Sequence, residues 1–244
     1  MLGSRISAPL AIGLALFTVQ PVFAAGEIII THAKALAGKV TPGDAAGYPV
    51  SLTWRGAYQL ATALYPSANQ IGIQILAPEV TIDLNGFTLF GAGVASHGIV
   101  GNQPNITIRN GTITRFKFDG VNGDKDFWMI DNIRVVRNGR EGIRVGINAR
   151  IEDSIISENG GIGIIGSNLH IENNQISLNG KEGIWTTVAT VLGNHLYANG
   201  LHGILSTNFT GYGNNTLYSN NFGGAQVFGG FVPLHPNACS PACP

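Results

Sequence analysis

Asn138-Gly139-Arg140-Glu141-Gly142-Ile143 decides how this chain is read, because the sequence returns to it at near-constant intervals. Asn-Gly recurs at Asn159-Gly160, Asn179-Gly180 and Asn199-Gly200, with Asn220-Asn221 in the next place. Gly-Ile falls at Gly98, Gly142, Gly163, Gly183 and Gly203, Gly-Val at Gly120 and Gly-Ala at Gly224. From Gly98 to Gly224 these glycines are 22, 22, 21, 20, 20 and 21 residues apart. A fixed period of this length is the mark of a solenoid, in which each repeat covers the apolar face of the last.

Two or three short runs of alternating apolar and polar residues occur in each repeat, as in Val80-Thr81-Ile82-Asp83-Leu84 and Ile106-Thr107-Ile108-Arg109. That alternation is the period-two pattern of a strand. A helix-and-strand repeat of the leucine-rich kind would keep a Leu-x-x-Leu-x-Leu frame. Here the apolar residues are mostly Ile and Val and no such frame is kept, so each repeat reads as a coil of strands. Stacking the coils in register predicts one inward ladder of Ile99, Val121, Ile143, Ile164, Ile184 and Ile204. It predicts a second of Ile113, Val135, Ile156, Ile176, Leu196 and Leu217. Asparagines stack too, in the series Asn85, Asn110, Asn132, Asp153, Asn173, Gly193, Asn214 and in the series Asn138, Asn159, Asn179, Asn199, Asn220. Asn tolerates left-handed backbone, and its amide can bond the coils above and below. Gly72-Ile73-Gln74-Ile75 reads as an earlier copy of the same strand.

Composition agrees with one elongated, folded domain. Of the 244 residues 34 are glycine, 44% are hydrophobic and only 11% are charged, with a formal net charge of zero. A disordered chain would be poorer in apolar and richer in charged residues. The basic residues are scattered, which excludes the basic stripe that a nucleic-acid partner requires. Residues 1–24 read as a signal peptide: Arg5 in the n-region, Leu10 to Val19 as the apolar run, and Val22-Phe23-Ala24 before the cleavage point. The run is too short to span a bilayer and no other segment is long enough, so no membrane span is expected after signal removal. The expected location is secreted or periplasmic. Residues 25–57 are expected to cap the first coil, with a short helix from Thr31 to Ala37 ended by Gly38. Residues 58–228 are assigned to the solenoid and 229–244 to a C-terminal tail. That tail holds the only two cysteines, Cys239 and Cys243, for which a local disulfide is open after export.

The repeats, together with Ala77-Pro78-Glu79-Val80-Thr81-Ile82-Asp83-Leu84-Asn85-Gly86-Phe87, resemble the right-handed parallel β-helix proteins of the pectate-lyase-like superfamily, and among them its exported bacterial members. The resemblance covers roughly residues 58–228. It implies an all-β, single-domain right-handed parallel β-helix and a polysaccharide partner. It does not imply one activity, because this fold hosts lyases, hydrolases, epimerases, adhesins and inert spikes. The Asp-Asp pair and Gly-His-Gly of polygalacturonase-like enzymes are missing: Leu201-His202-Gly203 stands where the latter would, and Arg115-Phe116-Lys117 precedes that His. The Asp-Pro-His-Glu motif of alginate epimerases is absent as well.

Three groups of residues could carry chemistry. The residue before each Gly-Ile landmark forms a polar file of His97, Asp119, Glu141, Ile162, Glu182 and His202. Asp119 and Glu141 should sit on successive coils, about 5–5.5 Å apart as in retaining glycosidases, with Arg144 near enough to hold a substrate carboxylate. Asp119, Glu141 and His202 are the catalytic candidates, against the plainer reading that a position beside a turn is simply polar. An outward file of Arg109, Asp131, Glu152 and Glu172 stacks like charges and needs a counter-charge. Calcium would serve, but Arg134 or Arg150 is the preferred neutraliser, so no metal or cofactor is assigned. Trp185 should point outward, and with Arg144 it is the candidate carbohydrate-binding pair; Tyr197 and Tyr218 either join such a face or merely stack on each other. The expected function is an exported protein that binds carbohydrate or builds surface structure. The alternative is a lyase or hydrolase of acidic polysaccharide.

Overall fold

A computed structural model describes residues 26–241 and Cys243; the expected signal peptide lies outside the described residues. The chain winds as a stack of parallel strands, each pairing with the equivalent strand of the neighbouring coils, on one side only at the two ends of the stack. Each coil contributes to three faces. On face 1 the register runs Val50, Ile73, Ile99, Val121, Ile143, Ile164, Ile184, Ile204, Val227. Face 2 follows the same climb through Ile82, Ile108, Ile130, Ile151, Ile171 and Val191. Face 3 runs Leu89, Ile113, Val135, Ile156, Ile176, Leu196, Leu217 and Cys239.

Both predicted ladders are therefore present, and from Ile99 to Leu217 their members are fully buried or nearly so. Period two fixes this arrangement. With one face of every strand turned to the core, a one-residue slip would put each Ile or Val into water. The exposed alternates then fall automatically into files on the outside.

Glycine recurs before the face 1 strand for a steric reason. A Cβ on Gly163 would stand 2.5 Å from the carbonyl oxygen of Gly183 and 2.9 Å from the Asn179 amide nitrogen. The coils approach so closely there that only a residue without a side chain fits. The Asn138, Asn159, Asn179, Asn199, Asn220 series lies beneath, at most 1% exposed. Each amide donates to the side-chain oxygen of the next, from Asn138 to Asn159 at 3.0 Å through Asn199 to Asn220 at 2.8 Å, and Gln226 accepts from Asn220 at 2.8 Å. The other predicted series, from Asn85 to Asn214, holds the bend between faces 2 and 3, and each member has positive φ.

Pairing extends beyond residues 58–228 at both ends. Ile28–Ile30 pairs with Tyr58–Leu60 and Val50–Leu52 with Ile73–Ile75, so the N-terminal segment already contributes strands. The helix His32–Ala37 is capped by the Thr31 hydroxyl, which accepts from the Lys34 backbone N–H at 3.1 Å, and its Ala35 is buried in the common core. At the other end Val227–Pro233 and Ala238–Ser240 pair with the preceding coil, and Cys239 and Cys243 form a disulfide that packs against the core.

One landmark was misplaced by the sequence reading. Ile204 aligns with Val227, so Gln226 and not Gly224 follows Gly203 in the stack. The turn at Asn221–Gly223, with Phe222 at φ 53°, lengthens that coil.

Candidate functional site

Face 1 positions the predicted polar file and the predicted aromatic on one surface. Its outward file runs Val100, Asn122, Arg144, Ile165, Trp185, Leu205 and Phe228, all in register. Beside it, at the turn, stand Asp119 and Glu141. Strand register brings Asp119, Glu141 and Arg144 together as expected: Arg144 Nη2 is 3.3 Å from Glu141 Oε2 and Arg144 Nε is 3.8 Å from Asp119 Oδ2.

Asp119 and Glu141 act on each other, and two carboxyl groups side by side favour a proton on one of them, with the raised pKa pointing to Asp119. Burial, then the hydrogen bond with Glu141 and its charge, push Asp119 up to about 6. Burial acts on Glu141 in the same direction, but the hydrogen bond from Asp119, then Arg144 and Arg140, outweigh it and hold Glu141 below the usual carboxylate range. Asn122 Nδ2 donates to Asp119 Oδ2 at 2.8 Å, and the Glu141 backbone N–H donates to Asp119 Oδ1 at 3.2 Å. His97 Nε2 stands 3.9 Å from Asp119 Oδ2, and burial, then the Arg140 charge, lower its pKa. Glu141 Oε2 is buried and accepts no hydrogen bond from the described residues. The site thus offers a proton donor, an acceptor with spare capacity and a half-buried guanidinium.

Asn122 and Arg140 were missing from the sequence reading. Asn122 could have been found, since it occupies the outward file two residues after Gly120. Arg140 could not, because its turn position fixes no direction for the side chain.

His202 does not join this constellation. It lies three coils further along the file, its ring 5.4 Å from that of Phe228, with Nδ1 buried and without a hydrogen-bond partner among the described residues. Trp185 is two coils from Arg144 and 40% exposed, as its outward position requires.

The acidic file on face 2 is also in register, Arg109 beside Asp131, Glu152 and Glu172. Arg150 contacts Glu152 and reaches Glu172 at 3.9 Å, while His170 Nε2 is 2.9 Å from Glu172 and 3.8 Å from Glu152. Glu152, His170 and Glu172 could together offer three ligand atoms to a metal. Arg150, however, already stands on Glu152 as the counter-charge that the stacked acids need. Arg134 is not part of this group; it belongs to face 3. Tyr197 and Tyr218 stack on each other, centroids 5.4 Å apart and planes 9° apart.

The architecture, continuous parallel strands on three faces with an asparagine-lined interior, defines a parallel β-helix. The family described as the right-handed β-helix region matches residues 97–235, more than half of the chain, and the chain belongs to that family. Among curated proteins no sequence matches significantly. Among solved structures the chain is similar to the periplasmic alginate epimerase AlgG, at TM-score 0.58 and 13% identity, covering 75% of this chain and 51% of that one. It is similar to the A-module of the Azotobacter vinelandii mannuronan C-5 epimerase AlgE4, at 0.57 and 13%, over 88% and 85% of the two chains. It is also similar to the Dettilon tailspike protein gp208, at 0.54 and 15%, over 80% and 42%. The chain spans about half the length of AlgG. At these identities the likeness is one of fold.

No helix among the described residues is long and apolar enough to cross a membrane.

Proposed function

We propose that this chain is an exported protein that binds acidic polysaccharide along face 1. The observation that carries the reading is a guanidinium and an exposed aromatic on one straight file. Arg144 is half-exposed at its ion pair with buried Glu141, whose Oε2 accepts no hydrogen bond among the described residues, and Trp185 stands exposed two coils along. Coils repeat at about 4.8 Å, so Arg144 and Trp185 are separated by roughly 9.6 Å, a span suited to sugar rings two residues apart along one chain. A uronate carboxylate fits the Arg144 fork, a sugar hydroxyl can donate to Glu141, and a ring face can lie on Trp185. Two of the similar structures carry alginate and mannuronan in their names, which supports the same ligand class.

A second reading has its own observation. Asp119 keeps its proton to about pH 6 while Glu141 beside it is ionised, the pairing of acid and base that proton transfer to a sugar ring needs. That would make the face an active site of a lyase or hydrolase.

The mature protein should be mixed, with and without calcium, with neutral and acidic polysaccharides, scoring both retention and new chain ends. Retention on acidic polymers without new ends is the expected result. New ends lost in Asp119→Asn or Glu141→Gln would establish the enzyme, and failure of every acidic polymer to be retained would overturn the binding reading.

A further inference from the structure

Face 3 carries a cleft that the face 1 site does not use. Its outward positions narrow at Ser157, a buried serine whose hydroxyl meets that of Ser177 at 3.1 Å. The small side chain of Ser157 leaves a hollow of about 380 Å³, walled by Arg134, Gln175, Leu178, Tyr197 and the Arg137–Glu158 pair. This is within the size range of pockets that hold small ligands.

The wall residues are prepared in different ways. Tyr197 is fixed by stacking on Tyr218 and by His195, whose ring lies 5.3 Å from Tyr197 and 5.4 Å from Tyr218. Gln175 Nε2 donates to the Tyr197 hydroxyl at 3.4 Å, which steadies both. The neighbouring arginines are spent: Arg137 Nε and Nη2 both donate to Glu158, at 2.9 and 3.1 Å, and Arg109 Nε donates to Asp83 at 3.0 Å. Arg134 makes no ion pair among the described residues and is exposed. It also lines a second hollow, of about 470 Å³, at the bend between faces 2 and 3, where the Asn132 amide donates to Asn110 and the Asn110 amide to Asp83. One uncommitted guanidinium therefore stands between two clefts, one hydroxyl-floored and the other amide-lined.

Register gives the length of the surface. Arg134 aligns with Ile155, Ile155 with Gln175 and Gln175 with His195, so Arg134 lies three coils from the rung that carries Tyr197. At the usual strand spacing that is roughly 14 Å, too long for an isolated small anion and suited to a short chain.

We propose that face 3 holds a second saccharide site, for an oligosaccharide bearing a carboxylate: Arg134 takes the carboxylate, Gln175 a hydroxyl, and Tyr197 a ring face. The site is separate from face 1 and does not need Arg144 or Trp185. It would let one rod engage two chains of an acidic polymer at once, which raises retention without any new contact on face 1.

Hydroxyl-radical footprinting of the full chain tests this, with hexagalacturonate and hexamannuronate as acidic probes and cellohexaose as the neutral one. An acidic hexamer should protect Tyr197 and Leu178 from oxidation. In Arg134→Gln the concentration giving half protection should rise about tenfold, the loss expected for one charge-assisted pair. Arg144→Gln should leave the Tyr197 protection unchanged, which separates this site from face 1. Arg134 is exposed, so the variant should keep the wild-type thermal midpoint. The inference is overturned if neither acidic hexamer protects Tyr197, if Arg134→Gln protects as well as the wild type, or if cellohexaose protects equally.

Discussion

Replacing Asn179 by alanine should cost this protein far more stability than replacing the asparagine six residues before it. The Asn179 side chain makes four hydrogen bonds inside the rod. Its oxygen accepts from Asn159 N at 3.1 Å and from Asn159 Nδ2 at 3.0 Å, and its amide donates to Ile156 O at 3.1 Å and Asn199 Oδ1 at 2.9 Å. Alanine leaves two Asn159 donors without that acceptor, in a place only 1% exposed. Each buried orphan costs about 1–3 kcal/mol, so the loss should be about 4 kcal/mol. Asn179→Leu fills the space and shuts water out, and should lose at least as much. Asn173→Ala is the contrast. Asn173 is exposed at φ 56°, so that change pays only the left-handed backbone penalty of about 1–2 kcal/mol. Urea unfolding followed by far-ultraviolet circular dichroism measures all three, compared through their midpoints at constant slope. A loss below about 1 kcal/mol for Asn179→Ala, or a larger one for Asn173→Ala, would refute the ladder as a main support of the rod.

Three further outcomes follow from the same geometry. Gly163→Ala drives a methyl against the Gly183 carbonyl and should destabilise by about 1–3 kcal/mol, read as a lowered thermal midpoint. For Asp119 the folded pKa lies above the unfolded one, so the folded state binds the extra proton. Its contribution is complete below about pH 4 and is lost as pH rises to about 6. The depressed Glu141 acts oppositely, losing stability as pH falls below its usual range. Asp119→Asn should therefore flatten the decline between about pH 4.5 and 6 and stabilise the protein at pH 7 by on the order of 2 kcal/mol, measured by unfolding at a series of pH values. Reducing the Cys239–Cys243 bond opens a loop of only four residues' separation, worth about 2 kcal/mol. Amide exchange should quicken in Val227–Ser240 alone and leave the middle coils unchanged.

The core of this fold was legible because strand alternation and coil spacing overdetermine it. Ile143 can lie only over Ile164 once Gly142 lies over Gly163, and both apolar ladders follow from that one alignment. The C-terminal coil was not legible in the same way. Gly224-Ala225 preserves the period, yet the turn at Asn221–Gly223 moves Gln226 into the stack, and no residue pattern announces how many residues a turn absorbs. A second amide ladder runs from Ser154 through buried Asn174, Asn194 and Asn215 to half-buried Asn237, and the residue pattern does not announce it. In Asn173-Asn174 and Asn214-Asn215 the first Asn turns outward in the bend and the second points into the rod.

The acids and Arg144 of the candidate site were legible, whereas Asn122, Arg140 and the site's geometry were not. Register alone placed Arg144 with Asp119 and Glu141. How the two carboxyl groups meet depends on side-chain torsions and on Asn122, which holds Asp119 from three residues further along the same coil. The free guanidinium on face 3 was hidden for a related reason. Its place near Asp131 in the sequence suggests a counter-charge to the acids of face 2, but the bend at Asn132 carries Arg134 to another face.

Calorimetric titration at pH 7 and low salt, with hexagalacturonate and hexamannuronate as ligands, tests the central claim most directly. It should compare the wild-type chain with the double variant Arg144→Gln, Trp185→Ala. Loss of one charge-assisted pair and one aromatic platform should weaken the face 1 affinity by about a hundredfold, in a variant whose circular dichroism spectrum shows it folded. Equal affinity of the double variant and the wild type would contradict the assignment of face 1 as the polysaccharide-binding surface.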